Sequence, residues 1–498
     1  MVHETASALS LLDELKEYGG KRITQGLSPE TLSTFYERDT ALRSAVEKAV
    51  SAHRALRDDF TGFLELPEDE LCAKLQENFV NFYVEEAINP YVAIAAAGPW
   101  IVTTHGAVLH DSGGYGMLGL GHAPAPLAEA LSQTWVMANV MSPHFSQYRL
   151  ATRLKREIGH TRGRCPFEKF ICMNSGSEAV SVAARICDIN ARRQTEDGAR
   201  HAGKPIKQLA LEEGFHGRTY RAAMVSDSTM SIYEENLASF RDHDSLVVVP
   251  PNDGEALRNA FAQAASDGVF FEALFIEPVM GEGEPGLAIT REFYDLAREL
   301  TRQTGSLLVV DSIQAALRAQ GCLSIVDYPG FQDCEAPDCE TYSKALNAGQ
   351  YPLSVLALTK EAAEIYVPGV YGNTMTTNPR ALEVGCAVLD SLTDELRANI
   401  RDRGAELRDR FEQLAQEHPD AIVKVTGTGL MVNAELNPDL YQVVGEDGFE
   451  QYLRNHGIAM IHGGRNGLRF TPHFAIASEE IDLIVTTVAQ GLADLRSK

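Results

Sequence analysis

Lys344 is the residue of this chain that is best placed to act as a reactive amine. It lies in residues 342–352, after a short apolar run and before a turn that contains glycine and proline. The ε-amine of a partly desolvated lysine can form a Schiff base with an aldehyde cofactor, the usual covalent role of lysine in carbonyl chemistry. Taken alone, the pattern far more often indicates a solvated surface cation. Its meaning therefore depends on the other motifs of the chain.

A carboxylate that can act on such a cofactor follows a predicted strand. Residues 307–310 are Leu-Leu-Val-Val, a short apolar run that predicts a buried parallel strand ending at Asp311. Ligands of open α/β sheets bind at the carboxyl ends of strands. An aspartate there can pair with a protonated pyridine nitrogen and make pyridoxal phosphate (PLP) an electron sink. An ordinary strand-end acid or helix cap is the alternative interpretation.

A turn of small residues offers a place for the phosphate. The apolar run 170–172 is followed by Ser175, Gly176 and Ser177, and a helical pattern begins at Val180. Free backbone N–H groups and the positive end of a helix dipole favour an anion at such a turn. A helix cap without a ligand is the other possibility.

Residues 213–219 supply an aromatic ring and a guanidinium. Phe215 can cover the face of a flat cofactor, and Arg218 can bind a carboxylate through two hydrogen bonds. In another context they would be a core phenylalanine and a surface arginine.

In this order the motifs resemble those of the fold-type-I, PLP-dependent class III aminotransferases, and of the ornithine and acetylornithine aminotransferases in particular. The resemblance extends from about residue 100 to the C-terminus. It is carried by residues 115–122, 174–178, 215–219, 277–283, 311–314, 343–346, 371–374 and 468–472.

The resemblance implies a role for each residue around the cofactor. Lys344 would be the internal-aldimine lysine and the proton shuttle, and Asp311 would hold the pyridinium nitrogen. Gly176 and Ser177 would bind the phosphate, and Phe215 would stack on the cofactor ring.

Two further cofactor contacts are implied. Gln314 matches the side chain that contacts the ring hydroxyl, and Thr374 matches the threonine that reaches the phosphate of the partner subunit. The resemblance therefore implies a homodimer with shared active sites.

The substrate contacts come from the same resemblance. Glu282 and Arg469 look like a switch pair, in which the glutamate masks the arginine in one half-reaction and releases it for an α-carboxylate in the other. Arg218 looks like a second carboxylate clamp, and Tyr115 matches a substrate-facing tyrosine. The expected reaction moves the ω-amine of ornithine, N-acetylornithine, lysine or a 4-aminobutyrate-like donor to 2-oxoglutarate.

The chain departs from the family pattern near the site. Ser312 replaces the usual glutamate after Asp311, Met280 replaces a common glutamine, and Thr376 and Thr377 stand where two glycines are usual. The two β-branched residues add bulk to their loop, so the pocket is expected to be narrower or reshaped. An aminomutase or a racemase would use the same lysine and aspartate, and a non-catalytic binding relative is a further alternative.

Composition limits the class of protein. A chain of 498 residues, 44% of them hydrophobic, can bury more than one core. A net charge of −25 disfavours nucleic acid and anionic membranes as partners. The longest nearly apolar stretch, residues 91–102, is too short to span a bilayer. The first residues show no secretory signal, which together with eight cysteines indicates reduced thiols and a cytoplasmic protein. Cys334 and Cys339 lack a second pair at ligand spacing, so no metal is expected.

The order of elements predicts an α/β fold. Apolar runs alternate with helical patterns from about residue 126 to 375, which predicts a mostly parallel seven-stranded sheet flanked by helices. The predicted organisation is a helical N-terminal extension (1–85), a segment joining the small domain (86–125), a large PLP-binding domain (126–375) and a small α+β C-terminal domain (376–498).

Overall fold

The computed structural model of the protein describes residues 2–241, 243–445 and 447–496. Its α-helices are α1 Val2–Tyr18, α2 Pro29–Tyr36, α3 Thr40–Asp59, α4 Glu68–Gln76, α5 Ala125–Ser132, α6 Phe145–Glu157, α7 Gly176–Thr195, α8 Tyr220–Ala223, α9 Met230–Asn236, α10 Gly254–Ser266, α11 Arg291–Thr304, α12 Lys360–Ile365, α13 Pro379–Asp390, α14 Asp394–Glu417, α15 Phe449–Asn455 and α16 Ser478–Arg496. Its strands are β1 Ala93–Ala97, β2 Trp100–Thr103, β3 Val108–Asp111, β4 Lys169–Met173, β5 Ile206–Leu211, β6 Leu246–Val249, β7 Phe270–Ile276, β8 Leu307–Asp311, β9 Cys339–Tyr342, β10 Ser354–Leu358, β11 Ile422–Gly427, β12 Val432–Leu436, β13 Ile458–Ala459, β14 Ile461–Gly463 and β15 Gly467–Phe470.

Contacts within the chain divide it into two compact units. The first unit contains the residues up to 125, residues 402–426 and the residues from 432 onward, and the second contains 126–401 and 427–431. The division into four segments made from the sequence stays a prediction.

The second unit is built on one seven-stranded sheet. The strand order is β4-β10-β9-β8-β7-β5-β6, and β10 is antiparallel to both of its neighbours. The pairs among β9, β8, β7, β5 and β6 are parallel. Strands β7 and β8 are buried along their whole length, as continuous apolar runs in a covered parallel sheet require. The α/β fold with a mostly parallel seven-stranded sheet is confirmed.

Helix α7 covers the middle of this sheet. Its start is fixed by Ser175, whose hydroxyl accepts a hydrogen bond from the Glu178 N–H at 3.3 Å. Its apolar side, including Val180 and Ala183, packs in one core cluster with Phe275 of β7. A small-residue turn and its helix are thereby held at the end of the sheet.

The first unit contains two four-stranded sheets. One has the order β1-β2-β3-β13 and the other the order β11-β12-β15-β14. Helices α1 and α3 contribute Leu12, Leu15 and Val46 to a core cluster that also holds Trp100 of β2. The apolar positions of the N-terminal helices are therefore used for packing against the first sheet.

Among the residues that the structure describes, none of the helices has both the length and the apolar character needed to cross a bilayer.

Candidate active site

Asp311 lies at the carboxyl end of β8 and is almost fully buried. Its Oδ1 accepts hydrogen bonds from the Ile313 N–H at 3.1 Å and from the Thr341 hydroxyl at 2.9 Å. Its Oδ2 lies 2.9 Å from Nδ1 of His216. Three donors around one buried carboxylate stabilise its charged form, because water cannot do so there.

His216 is the partner that most affects Asp311. Burial alone lowers the pKa of the His216 imidazole, but the hydrogen bond and the charge of Asp311 outweigh it, so the pKa lies above its ordinary value. The Ser226 hydroxyl accepts a hydrogen bond from the His216 backbone N–H at 2.8 Å. The Nε2 atom of His216 is buried and has no hydrogen-bond partner within the described ranges of the chain.

Lys344 lies two residues beyond the end of the neighbouring strand. Strands β8 and β9 run parallel with Asp311 opposite Thr341, and Lys344 begins the short 3₁₀ turn Lys344–Leu346. Its φ of 40° places a non-glycine residue in the left-handed region, which is costly and occurs mainly at functional sites. The side chain is half-buried, as a desolvated amine requires.

Gly176 and Ser177 form the first turn of α7. A Cβ atom on Gly176 would lie 2.7 Å from Cδ1 of Ile313. The Ser177 hydroxyl accepts a hydrogen bond from the Arg218 N–H at 2.9 Å, and a Cβ atom on Gly217 would lie 2.1 Å from that hydroxyl. Gly217 has a φ of 121°. Only glycine fits there, so backbone packs directly against the anion-binding end of the helix.

Phe215 and Arg218 occupy the same loop. The Arg218 guanidinium carbon lies 5.5 Å from the centre of the Phe215 ring. The Phe215 N–H and the Gly281 N–H donate to the two carboxylate oxygens of Glu277, each at 2.9 Å. Burial raises the pKa of Glu277 to about 7. Glu277 thus ties the aromatic loop to the loop that carries Glu282.

Gln314 and Glu282 are in contact. The Gln314 side-chain amide donates to Oε2 of Glu282 at 3.4 Å. A Cβ atom on Gly281 would lie 2.5 Å from the Gln314 amide carbon. The predicted ring-hydroxyl contact and the predicted switch glutamate are therefore neighbours.

Ser312 has a partner of its own. Its hydroxyl donates to Oε1 of Glu340 at 2.6 Å, and the Ser324 hydroxyl donates to Oε2 of the same residue at 2.5 Å. Burial raises the pKa of Glu340 to about 7. The family pattern has a glutamate at position 312. In this chain, Glu340 on the adjacent strand β9 provides a carboxylate beside Ser312 instead.

Thr374 lies in an exposed loop that is anchored to α7. The Tyr371 hydroxyl and the Asn373 amide both donate to Oε1 of Glu178 at 2.8 Å. The loop borders a mainly apolar cavity of about 590 Å³ that extends along β4. Thr374 is one of its lining residues, with Thr376 and Thr377.

Thr377, but not Thr376, has a backbone conformation suited to glycine. Thr377 has a φ of 59°, which is unfavourable for a β-branched residue. The His144 side chain, through Nε2, lies 2.9 Å from the Thr377 carbonyl oxygen, and the Thr376 hydroxyl donates to the Cys172 carbonyl. These two contacts stabilise the turn at Thr376–Thr377 despite the unfavourable φ of Thr377.

Tyr115 and Arg469 belong to the first unit. Tyr115 has a φ of 50° and a side chain that is 38% exposed, with its ring centre 5.8 Å from that of Tyr83. Arg469 is buried in β15, opposite Asn433 and Ile461 of the neighbouring strands. The sequence-predicted residues thus fall into two sets, one in each unit.

Contacts within the second unit link Ser177 to Arg218, Arg218 to Phe215, and Gln314 to Glu282. Gly176, Asp311, Lys344 and Thr374 belong to the same unit and are placed by α7, by the ends of β8 and β9, and by the loop after Tyr371. His216, Thr341 and Glu277 were given no role from the sequence. His216 stands inside the Phe215–Arg218 motif, which was a visible signal, whereas Thr341 becomes a partner of Asp311 only through the register of β8 and β9.

These residues fit PLP. A phosphate needs backbone N–H groups at a helix start, and Gly176 and Ser177 provide them beside a glycine whose Cβ position is filled by Ser177. A pyridine nitrogen needs a buried acid, and Asp311 is one. An aldehyde needs an amine, and Lys344 provides it at the end of the adjacent strand.

The fold and this set of residues define a fold-type-I, PLP-dependent enzyme. The chain belongs to the aminotransferase class-III family, whose model matches residues 83–492. It is therefore a PLP-dependent transaminase, and the predicted family, enzyme class and cofactor are confirmed.

Characterised relatives are similar over most of the chain. The acetylornithine aminotransferase of Thermosynechococcus vestitus is 30% identical over 386 residues, which cover 76% of this chain and 86% of the relative. Ornithine aminotransferase 2 of Staphylococcus aureus is 30% identical over 403 residues, covering 80% and 93%. The solved ornithine aminotransferase of Toxoplasma gondii has the same fold, with a TM-score of 0.74, 24% identity, and coverage of 89% of this chain and 99% of the other.

Replacing Gly217 tests the phosphate turn. We expect Gly217→Ala to weaken PLP binding by roughly tenfold or more, because the new Cβ meets the Ser177 hydroxyl and a φ of 121° is strained for alanine. The measurement is an absorbance titration of the apoprotein with PLP. Gly198→Ala is the matched control, since Gly198 has a φ of 82° but nothing within 4 Å of its Cβ position. Equal affinities of the two variants would contradict the assignment.

Proposed function

We propose that the enzyme transfers the ω-amine of a basic or ω-amino acid to 2-oxoglutarate. The donors considered are ornithine, N-acetylornithine, lysine and 4-aminobutyrate-like compounds. The relatives named above, which act on ornithine or acetylornithine by their names, support this choice. The main structural support is the buried pair of Asp311 and His216 at the end of β8.

Asp311 would keep the ring nitrogen of the cofactor protonated. When bound, PLP supplies an electron sink for the carbon that loses its proton, and the sink is strong only with a protonated ring nitrogen. The His216 ring lies 2.9 Å from Oδ2 of Asp311, and this contact would fix the orientation of the carboxylate.

Lys344 would carry two tasks at its Nζ atom. Nζ would hold the cofactor aldehyde and, when free, would move a proton at the substrate carbon. The turn at Lys344–Leu346 is separated from the end of β9 by Ser343 alone. A rigid strand end gives the amine the fixed position that proton transfer needs.

The remaining contacts orient the cofactor. Gly176 and Ser177 would hold its phosphate with backbone N–H groups, and Phe215 would cover its ring. Gln314 would contact the ring hydroxyl, and the neighbouring Glu282, which accepts a hydrogen bond from the Gln314 amide, would fix the direction of that amide. Each of these roles rests on the family resemblance together with the packing described above.

Substrate choice would depend on two carboxylate clamps. Arg469 binds the α-carboxylate of 2-oxoglutarate, and Glu282 masks it when an ω-amine enters with its uncharged side. Arg218 binds the second carboxylate, and Tyr115 contacts the donor. An enzyme with two such clamps can serve two unlike substrates.

We further propose a homodimer. Residues 136–148 of the second unit include five apolar side chains between 62% and 85% exposed, and a surface of this kind is typical of an interface. They are Val136, Met137, Met141, Phe145 and Tyr148. In the dimer Thr374 would contact the phosphate bound to the partner subunit.

A cytoplasmic location is consistent with the cysteines. All eight are free thiols, and five of them are buried. Reduced thiols persist in a reducing compartment.

The reaction is tested with the wild type and Lys344→Ala. The wild type should form glutamate from 2-oxoglutarate when ornithine or another ω-amine is supplied, and sodium borohydride should fix PLP to the chain. Lys344→Ala should retain PLP through the phosphate turn and Asp311 but form no glutamate, and borohydride should no longer attach the cofactor. Turnover of the variant near the wild-type rate would mean that another group does the chemistry.

Arg469→Lys tests the acceptor clamp. We expect the KM for 2-oxoglutarate to rise roughly tenfold or more, and far more than the KM for the donor, because a lysine cannot reproduce a two-point contact with a carboxylate. Steady-state kinetics with each substrate varied in turn give both values. Arg465→Lys, at an exposed position of the same hairpin, is the control. Equal changes for both substrates would rule out the switch.

A further inference from the structure

Asp39 connects the N-terminal helices to the first sheet. Its Oδ1 caps α3 by accepting hydrogen bonds from the Ala41 N–H at 2.7 Å and the Leu42 N–H at 3.3 Å. Its Oδ2 accepts a hydrogen bond from the indole N–H of Trp100 at 2.5 Å. One carboxylate therefore fixes both the start of a helix and a fully buried tryptophan.

Trp100 in turn packs against His110 and so links Asp39 to this histidine. The two residues are cross-strand partners in β2 and β3. Their rings meet edge to face with centres 5.2 Å apart, and both side chains are fully buried. The Phe35 ring packs on Trp100, with a centre-to-centre distance of 5.1 Å. A shift of the N-terminal helices would therefore move the His110 ring, since close-packed interiors transmit displacement.

His110 is held by a buried carboxylate. Its Nε2 lies 2.9 Å from Oε1 of Glu480, and Nε2 of His473 lies 2.9 Å from the same oxygen. Burial alone would raise the pKa of Glu480, but the hydrogen bonds from the two histidines outweigh it and hold the pKa well below its usual range. The Ala477 N–H donates to the other oxygen of Glu480 at 2.7 Å. Both carboxylate oxygens of Glu480 thus have hydrogen-bond partners, which makes the cluster rigid.

The cluster of His110, His473 and Glu480 is connected by hydrogen bonds to the two segments that carry Tyr115 and Arg469. Nδ1 of His110 lies 2.8 Å from the Ser112 hydroxyl. The Thr471 N–H, two residues beyond Arg469, donates to the Ser112 carbonyl at 2.7 Å. The Gly116 N–H, next to Tyr115, donates to the Thr471 hydroxyl at 3.3 Å.

We propose that these contacts form an anchor by which the N-terminal segment 29–59 positions Tyr115 and the end of β15 and so sets the affinity for the amine donor. The anchor consists of Asp39, Trp100, His110 and Glu480, which are positioning residues. Segment 29–59 lies outside the residues that match the family model, so the family assigns it no task. The inference rests on the proposed role of Tyr115 in donor binding.

The backbone of Tyr115 explains why an anchor is needed. A φ of 50° is costly for a tyrosine and is kept only when the surroundings fix it. Asp111, the neighbour of His110, contributes by accepting hydrogen bonds from the Gly113 N–H at 3.2 Å and the Gly114 N–H at 3.0 Å. Loosening β3 would release this turn and misplace the Tyr115 ring.

The test uses the full-length holoenzyme with Asp39→Asn and Trp100→Phe. Asparagine remains a good helix cap. When its side-chain oxygen caps α3, however, its amide N–H₂ group faces the indole N–H of Trp100, and two donors cannot form a hydrogen bond. Trp100→Phe keeps a ring and removes the donor. Each variant should raise the KM for the donor roughly three- to tenfold, with kcat within about twofold and an unchanged PLP absorbance band. The donor KM of the double variant should be no higher than that of the more affected single variant, because both substitutions remove the same hydrogen bond between Trp100 and Asp39.

Leu257→Ala is the stability control. Leu257 is a buried residue of α10 in the second unit, outside segment 29–59, so its truncation should lower the Tm by creating a cavity while the donor KM stays at the wild-type value. If Asp39→Asn and Trp100→Phe also lower only the Tm, the anchor is merely structural and the inference is overturned.

Two further measurements separate the possible failures. If Tyr115→Phe raises the donor KM while the anchor variants do not, the inference falls and the proposed function stands. If Tyr115→Phe changes nothing, the proposed donor contact falls, and the inference falls with it. Metal analysis is included because two imidazoles and a carboxylate are also a zinc donor set. One equivalent of bound metal would overturn the assignment of Glu480 as a hydrogen-bond acceptor.

Discussion

The buried carboxylate of Asp311 is the constraint on which the catalytic unit depends. A charge at the end of a covered parallel strand is tolerated only with several donors, and the unit provides a backbone N–H, the Thr341 hydroxyl and the His216 ring. Each donor comes from a different part of the chain. The register of β8 and β9 and the course of the Phe215–Arg218 loop must therefore be correct before the site can act on a cofactor.

The first unit also contains a buried carboxylate, that of Glu480. That carboxylate is buried between two imidazoles and a backbone N–H, and its surroundings hold the loop of Tyr115 and the strand of Arg469. Both units thus use a buried, hydrogen-bonded carboxylate to fix the segments that carry the proposed functional side chains. A chemical site and a recognition site need the same rigidity, because small displacements have large effects on rate and affinity.

Much of this was predictable from the sequence. The apolar run before Asp311 and the serine-glycine turn before α7 indicate strand and helix ends directly, and their order led to the family. The partners were harder to predict. Nothing local assigns His216 to Asp311 or Glu340 to Ser312, since the first pairing depends on the course of the loop after β5 and the second on the pairing of β8 with β9. The left-handed backbone of Lys344 and Thr377 was equally invisible, because neither residue type favours it.

The rate of proton transfer in Asp311→Asn tests the central claim most directly. The substitution keeps the shape of the side chain and removes its charge, so the ring nitrogen of PLP would no longer be held protonated. We predict that single-turnover reaction of the PLP-loaded variant with the amine donor is slower by about two or more orders of magnitude, with PLP still bound. A rate within about twofold of the wild type would show that another acid holds the ring nitrogen and would contradict the account.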